Sequence, residues 1–290
     1  MSEALIDVNA SLRLRGFSFR IFPRIKGFRS GIHKSVYKGI SPDFVEYKEY
    51  SRGDDLRHID WRLYGRLDRF YVRKFEDEVN LNWLILIDAS GSMGYVSRES
   101  SKLDYAKKLS ATLAYLLIKQ GDAVGIVDFC DENIAILPPR SGNPALNAIL
   151  TRLESLTASG KADIKEPINR AIEKARADTC FVIISDLLID LKLIEGSLKL
   201  LRSSNKEAIF FHILDRDEIE FNFDGSIEFE DMEDETKILV DARNIRKTYR
   251  KRVQAFIDRV KQICHENESR YVLSPTYSPI EEVLMQIAQK

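Results

Sequence analysis

The sequence predicts an α/β protein with a doubly wound, mainly parallel, Rossmann-like sheet, and three observations support this prediction. From Leu81 onward, apolar runs of strand length alternate with longer segments that carry the 3.6-residue period of a helix, which is the pattern of βαβ units. Hydrophobic residues make up 44% of the 290 residues, against 14 Gly and 8 Pro, so the chain can bury a core. The apolar runs stay far below the roughly 20 residues of a membrane-spanning helix, so we expect no membrane span.

The core elements follow in order from this alternation. Trp83 to Ile87 is the first strand, and it leads to a helix from Leu103 to Lys119, whose apolar residues recur every three or four positions before Gln120-Gly121 ends it. Pro167 suits the first turn of a later helix, where its missing N–H is harmless. The other predicted elements are strands at 122–129, 134–137, 179–185, 208–214 and 271–273, and helices at 144–156, 166–177, 191–202 and 247–265.

The first 80 residues divide into two segments of different composition. Residues 1–40 hold eight basic residues against two acids, which predicts a basic N-terminal arm. Residues 41–80 alternate aromatic and charged side chains, a pattern typical of short half-buried strands, so we expect a small β-containing module there. Residues 81–290 then form the main domain.

An acidic segment interrupts the main domain at about residues 215–246. Residues 215–235 contain eleven acids and one base. Apolar residues alternate with polar ones around Asp224-Gly225, which predicts a β-hairpin insertion that turns at this dipeptide and has an acidic face. Two interpretations stay open: a solvated surface that balances the basic helix start after it, or a surface that steers a partner.

The sharpest motif is Asp88-Ala89-Ser90-Gly91-Ser92, at the carboxyl end of the first core strand. Open parallel sheets bind ligands at this edge, and Asp186 follows a second strand to the same edge. Carboxylate and hydroxyl oxygens are hard ligands that suit Mg²⁺ or a similar divalent cation. Asp88, Ser90, Ser92 and Asp186 are therefore the predicted metal ligands, although the same side chains could simply cap a helix and satisfy loop amides.

With this motif, residues 81–214 resemble the von Willebrand factor type A fold, in which a D-x-S-x-S loop forms the metal-ion-dependent adhesion site (MIDAS). The resemblance implies a further metal ligand, a Thr from a second loop. Here the corresponding stretch is Gly160-Lys161-Ala162-Asp163, so Ala162 stands where the Thr is expected. Asp163 or a water molecule would have to replace the missing hydroxyl.

A second set of residues lies in the segment before the motif and after the core strand that ends at residue 214. The set is Tyr50, Gly53-Asp54-Asp55, Arg57, Ile59-Asp60-Trp61, Arg66 and Asp215-x-Asp217-Glu218. Together with the motif, these residues resemble the bacterial family called domain of unknown function 58 (DUF58), over roughly residues 30–280. Members are commonly encoded beside MoxR-type AAA+ ATPases, which implies an adaptor or co-chaperone that acts with such an ATPase on an unknown client protein.

The function expected from these observations and resemblances is a non-enzymatic protein-interaction module that docks its partner through the metal-ion-dependent adhesion site, which Ala162 makes incomplete. The chain lacks the phosphate-loop, dinucleotide, nucleophile-elbow and zinc-protease motifs. Two alternatives remain: a Mg²⁺-dependent hydrolase that uses Asp88 and Asp186, and nucleic-acid binding through the basic arm, which the net charge of -1 disfavours. Three scattered cysteines and the lack of an apolar leader predict a cytoplasmic protein.

Overall fold

The computed structural model describes residues 5–19, 43–51, 59–76, 80–97, 100–130, 133–230, 232 and 237–288. The chain divides into two compact units, of which one joins Met1–Pro23 to Leu81–Lys290 and the other is Arg24–Asn80. The division therefore does not follow the predicted boundary at residue 40. Helix α1 (Val8–Arg13) belongs to the larger unit because Ala10, Leu14 and Phe19 are buried in its core, which the basic residues around them concealed in the sequence.

The smaller unit contains the predicted β structure. Strands β1 (Asp43–Glu49) and β2 (Tyr71–Glu76) pair in antiparallel fashion, and helix α2 (Trp61–Leu67) lies between them in the sequence. The Asp60 carboxylate begins this helix by accepting hydrogen bonds from the backbone N–H groups of Arg62 and Leu63. The family-signature residues Gly53, Asp54, Asp55 and Arg57 lie outside the described residues.

The larger unit is built on one six-stranded sheet. Its strands are β3 (Asn82–Asp88), β4 (Ala123–Cys130), β5 (Asn133–Arg140), β6 (Thr179–Ser185), β7 (Ala208–Leu214) and β10 (Arg270–Pro275). They lie in the order β5-β4-β3-β6-β7-β10, and β5 alone among them runs antiparallel to its neighbour. After β3 the chain forms β4 and β5 on one side of β3, and it then crosses to form β6 on the other side. The topological switch point therefore lies between β3 and β6.

Helices cover both faces of this sheet. Along β3, Trp83, Ile85 and Ile87 face one core cluster, while Leu84 and Leu86 face the other, as the two-residue repeat of a strand requires. The remaining elements are α3 (Lys102–Lys119), α4 (Asn143–Ser155), α5 (Lys165–Lys174), α6 (Leu191–Ser203), α7 (Arg216–Glu220), β8 (Ser226–Glu230), β9 (Lys237–Asp241), α8 (Ala242–Glu266) and α9 (Ile280–Met285). The predicted doubly wound α/β fold is thus confirmed.

The insertion differs from the predicted hairpin. The prediction of a turn at Asp224-Gly225 is wrong, because residues 216–220 form helix α7 and β8 begins after that dipeptide, pairing with β9. Asp215 and Glu218 form a capping box at the start of α7, so acids that looked like one face of a strand instead stabilise a helix N-terminus. Helix α9 was not predicted. Among the described residues, no helix combines the length and the hydropathy that crossing a bilayer requires.

Candidate functional site

Two buried carboxylates meet at the carboxyl edge of the sheet. Asp88 ends β3, and Asp186 directly follows the neighbouring strand β6, so the switch point brings them together. The Asp88 carboxylate accepts a hydrogen bond from the Ser90 backbone N–H at 2.9 Å and one from the Ser185 hydroxyl at 2.6 Å. Burial, followed by the charge of Asp186, raises the pKa of Asp88 to about 6.

The two serines of the motif lie beside Asp88. Their hydroxyl oxygens are 3.2 Å apart, with Ser90 fully buried and Ser92 half-buried. Gly91 donates its N–H to the Gly160 carbonyl at 2.9 Å, which holds the second predicted loop against the first. Asp163 is engaged elsewhere, since its carboxylate accepts a hydrogen bond from the Lys165 N–H at the start of α5.

A lysine that the sequence analysis missed completes this cluster. Lys102 is the first residue of α3 and is fully buried, and its ammonium donates to Asp186 Oδ2 at 2.8 Å and to Glu218 Oε1 at 2.6 Å. Burial acts to lower the pKa of Lys102, but the charges of the two carboxylates outweigh it and the pKa is raised. The signal in the sequence was a lysine in the first turn of α3, where a positive charge opposes the helix dipole.

His212 supports Asp186 from the adjacent strand β7. Its Nε2 lies 2.9 Å from the Asp186 carbonyl oxygen, which can only accept, so Nε2 carries the proton and Nδ1 accepts from the Tyr271 hydroxyl at 2.7 Å. Burial lowers the pKa of His212 to about 4 and keeps the ring neutral. Both ring nitrogens therefore have hydrogen-bond partners inside the fold, and Nε2 holds the loop after β6 in place.

The donor set does not fit a divalent cation. Mg²⁺ needs several free oxygen ligands in near-octahedral geometry. Asp186 is already paired with the Lys102 ammonium, Ala162 offers no side-chain oxygen, and Asp163 is turned toward α5. Within the described residues no group of three or more His, Cys, Asp or Glu side chains has an arrangement suited to a metal. Mg²⁺ binding stays a prediction that this arrangement disfavours.

The acidic insertion lies against the same loop. A Cβ added to Gly91 would come within 2.6 Å of the Met232 carbonyl oxygen, and one added to Gly94 would lie 3.5 Å from the Met232 methyl group. Met232 follows β8, so this end of the hairpin contacts the D-x-S-x-S loop directly. The other end is held by Arg246, which donates to the backbone carbonyls of Phe221 and Phe223.

Several large apolar side chains lie in the segments at the carboxyl edge, outside the buried cluster. They follow different strand ends at the carboxyl edge or belong to the insertion, and each is about half exposed, between 47% and 52%. The four residues are Val96, Leu188, Met232 and Tyr277. Together with the loop 88–92 they form what we call the loop face.

A six-stranded sheet with one antiparallel edge strand, helices on both sides and a D-x-S-x-S loop at the switch point defines a von Willebrand factor type A-like domain. Residues 46–257 match the family described as "Protein of unknown function DUF58", and the chain belongs to that family. It is 22% identical over 235 residues to the uncharacterized protein Rv1480 of Mycobacterium tuberculosis, which covers 78% of this chain and 72% of that protein. The uncharacterized protein Mb1516 of Mycobacterium bovis matches equally well.

One solved structure supports this fold. An aerotolerance-related membrane protein from Bacteroides fragilis aligns with a TM-score of 0.50 and 19% identity, over 72% of this chain and 98% of that one. At this identity the likeness concerns the fold alone. The VWA domain of SpRpn10 aligns with a TM-score of 0.46 and 16% identity, over 72% of this chain and 95% of that one.

Proposed function

We propose that this chain is a non-enzymatic protein-interaction module that acts as an adaptor or co-chaperone with a MoxR-type AAA+ ATPase, and that the ATPase docks on the loop face. One observation carries the proposal: four half-exposed apolar side chains lie in the segments at the carboxyl edge of the sheet, where the buried charged cluster also lies. Exposed apolar residues grouped at one edge mark an interaction surface more often than a solvated one. The choice of an ATPase as partner rests on family membership.

The cluster is poorly suited to catalysis, which favours binding over the hydrolase alternative. A hydrolase needs a general base that can reach substrate. Both nitrogens of His212 are occupied by hydrogen bonds inside the fold, and Asp186 is paired with a buried ammonium. Asp88 accepts hydrogen bonds on both of its carboxylate oxygens. These groups hold the loops in place.

The insertion belongs to the proposed surface. Its Met232 lies against Gly91 in the loop and near Gly94, which follows the loop. Arg216 of α7 stacks over the ring of Tyr277 at 4.5 Å from the ring centroid. A partner that touches the D-x-S-x-S loop would therefore meet the hairpin too. This joins the two parts that the sequence analysis treated as a docking loop and a separate acidic surface.

The test measures binding of the purified chain to the purified MoxR-type ATPase of the same organism by biolayer interferometry. Leu188→Glu places a charge in the loop face and should weaken binding at least about tenfold, because burying an unpaired charge at an interface is costly. The matched control is Leu12→Glu on α1, where Leu12 is 60% exposed against 50% for Leu188. Helix α1 lies near the middle of α3 and not near its start at the loop face, because the Asp7 N–H donates to the Thr112 hydroxyl.

The Leu12→Glu control should bind the ATPase as tightly as the wild-type chain does. Absence of binding by the wild-type chain overturns the proposal, and so does equal loss in both variants. Mg²⁺-dependent phosphoester hydrolysis that disappears in Asp88→Asn would replace it with the hydrolase alternative.

A further inference from the structure

We propose that the Lys102 ammonium is the permanent cation of the loop face, in the role that a divalent ion fills in a D-x-S-x-S site, so that this face keeps its structure without a metal. The inference does not depend on which protein docks there. It rests on the contacts of Lys102, its place on α3 and the charges around it.

The position of Lys102 is fixed by the start of α3. The Ser101 hydroxyl accepts a hydrogen bond from the Asp104 N–H at 3.0 Å, and the Asp104 carboxylate accepts one from the Ser101 N–H at 3.2 Å. This capping box sets where the helix begins and therefore where the Lys102 side chain starts. A cation in the first turn opposes the helix dipole, so helix stability does not explain a lysine there.

The charges around the ammonium explain it instead. A fully buried ammonium is stable only when it is paired, and Asp186 and Glu218 each lie within 2.8 Å of Nζ. Asp88 adds a further carboxylate, which is fully buried and whose pKa the charge of Asp186 helps to raise. Without Lys102, these three carboxylates would lie together without the ammonium that pairs two of them, which is the charge pattern that a metal site neutralises. A divalent ion bound to Asp186 would stand next to a buried positive charge.

The ammonium also joins three elements that a metal in the predicted site would not join. It connects the start of α3, the loop after β6 and α7, where the acidic insertion begins. Glu218 was not among the predicted metal ligands, yet it makes the shortest contact to the cation. Lys102 thus attaches the insertion to the loop face, which a metal held by Asp88, Ser90, Ser92 and Asp186 would leave to other contacts.

The test uses the full chain and Mn²⁺ as the probe. Bound Mn²⁺ is measured by electron paramagnetic resonance, and the melting temperature is measured with EDTA and with Mg²⁺. The wild-type chain should bind no Mn²⁺ at millimolar concentration, and its melting temperature should be the same in both solutions. Lys102→Met keeps the aliphatic stem but leaves Asp186 and Glu218 unpaired, so its melting temperature should fall and should partly recover with Mg²⁺.

Two further variants keep the proposal testable if Lys102→Met does not fold. Lys102→Met with Glu218→Gln removes one charge of each sign, and it should fold and bind Mn²⁺ at a millimolar concentration at which the wild type binds none. Lys107→Met is the matched control, because Lys107 lies on the same helix, is buried and donates to the neutral Leu156 carbonyl. It should lose stability without acquiring Mn²⁺ binding.

Each contrary result overturns the proposal. Mn²⁺ bound by the wild-type chain and lost in Asp88→Asn would show a working metal site beside Lys102. A Lys102→Met protein with the melting temperature of the wild type would show that the ammonium does not stabilise the carboxylates of Asp186 and Glu218. A double variant that folds and binds no Mn²⁺ would show that the ammonium does not take the place of an ion.

Discussion

The two edges of the central sheet each bury carboxylates, but Asp122 at the amino edge has neutral donors, whereas Asp186 at the carboxyl edge has a buried ammonium. At the amino edge, Asp122 accepts hydrogen bonds from the Leu81 N–H at 2.9 Å, from the Trp83 indole N–H at 2.8 Å and from the Gln120 side-chain amide. All three donors are neutral. At the carboxyl edge, Asp186 is paired with the buried ammonium of Lys102, and Asp88 lies beside it.

The difference distinguishes a structural network from the face where we propose that a partner docks. Gln120 also exchanges hydrogen bonds with the backbone of Phe19, so the amino-edge network ties the N-terminal segment to the sheet. The carboxyl edge combines buried charges of both signs with half-exposed apolar side chains. One fold thus uses a buried acid to hold the chain together at one edge and a buried ion pair beneath the proposed docking face at the other.

The largest effect expected from this contrast is the loss of stability in Asp122→Ala. The change leaves the buried N–H groups of Leu81 and Trp83 without acceptors, at about 1–3 kcal/mol each. Urea unfolding should show a loss of about 3 kcal/mol or more, while the folded protein still binds the ATPase. The control is Asp178→Ala, also at the amino edge, which deprives Asn82 of a single side-chain hydrogen bond and should cost about 1 kcal/mol. Equal losses of unfolding free energy in the two variants would contradict the structural role of Asp122.

A second prediction concerns pH and sharpens the contrast at the carboxyl edge. Burial, with the charge of Asp186, raises the pKa of Asp88 from 3.8 to about 6, so the folded state binds its proton first and Asp88 adds stability as the pH falls through this range. Burial lowers the pKa of His212 from 6.5 to about 4, so the unfolded state binds that proton first and His212 removes stability over the same range. The two contributions oppose each other in the wild-type chain.

Single variants should expose each contribution. The free energy of unfolding of Asp88→Asn should fall more steeply than that of the wild type between pH 7 and pH 4, whereas that of His212→Gln should fall less steeply. Urea titrations at four pH values measure both slopes. Asp122 is present in all three proteins, so the amino edge contributes equally to each. Parallel profiles for the three proteins would show that the carboxyl-edge groups do not titrate as their burial requires.

How much of the structure the sequence predicts depends on how far apart in the sequence the contacting residues lie. The core strands are buried on both faces, so they read as continuous apolar runs, and β6 and β7 match their predicted bounds. Asp88 and Asp186 were predictable because each stands at the end of such a run. Their meeting then follows from topology alone.

Lys102 and Glu218 were not predictable in the same way. They lie 116 residues apart in the sequence, and each looks like one of many surface charges until the fold brings them together. The turn of the insertion was misplaced because Phe221 adopts a left-handed conformation with φ of 48°, which ends α7 where an alternating strand was expected. Such conformations are uncommon for a bulky residue, and local pattern does not predict them.

The smallest effect on stability, and the one that tests recognition most directly, concerns the hairpin acids. Lys237 pairs with Glu228 at 3.3 Å and with Glu230 at 3.2 Å, and all three side chains are more than half exposed. Exposed pairs contribute about 0–1 kcal/mol, so Glu228→Gln with Glu230→Gln should leave the free energy of unfolding almost unchanged. If the hairpin belongs to the docking face, the same double variant should associate more slowly with the ATPase, and this difference in association rate should shrink as salt screens the wild-type attraction.

The matched control removes two exposed acids near the amino edge, in Glu266→Gln with Glu268→Gln, of which Glu268 pairs with Arg202. Because both double variants change the net charge equally, a general effect of charge would slow the association of both. A docking face at the carboxyl edge would slow only Glu228→Gln with Glu230→Gln. Stopped-flow association rates at two salt concentrations distinguish the two outcomes.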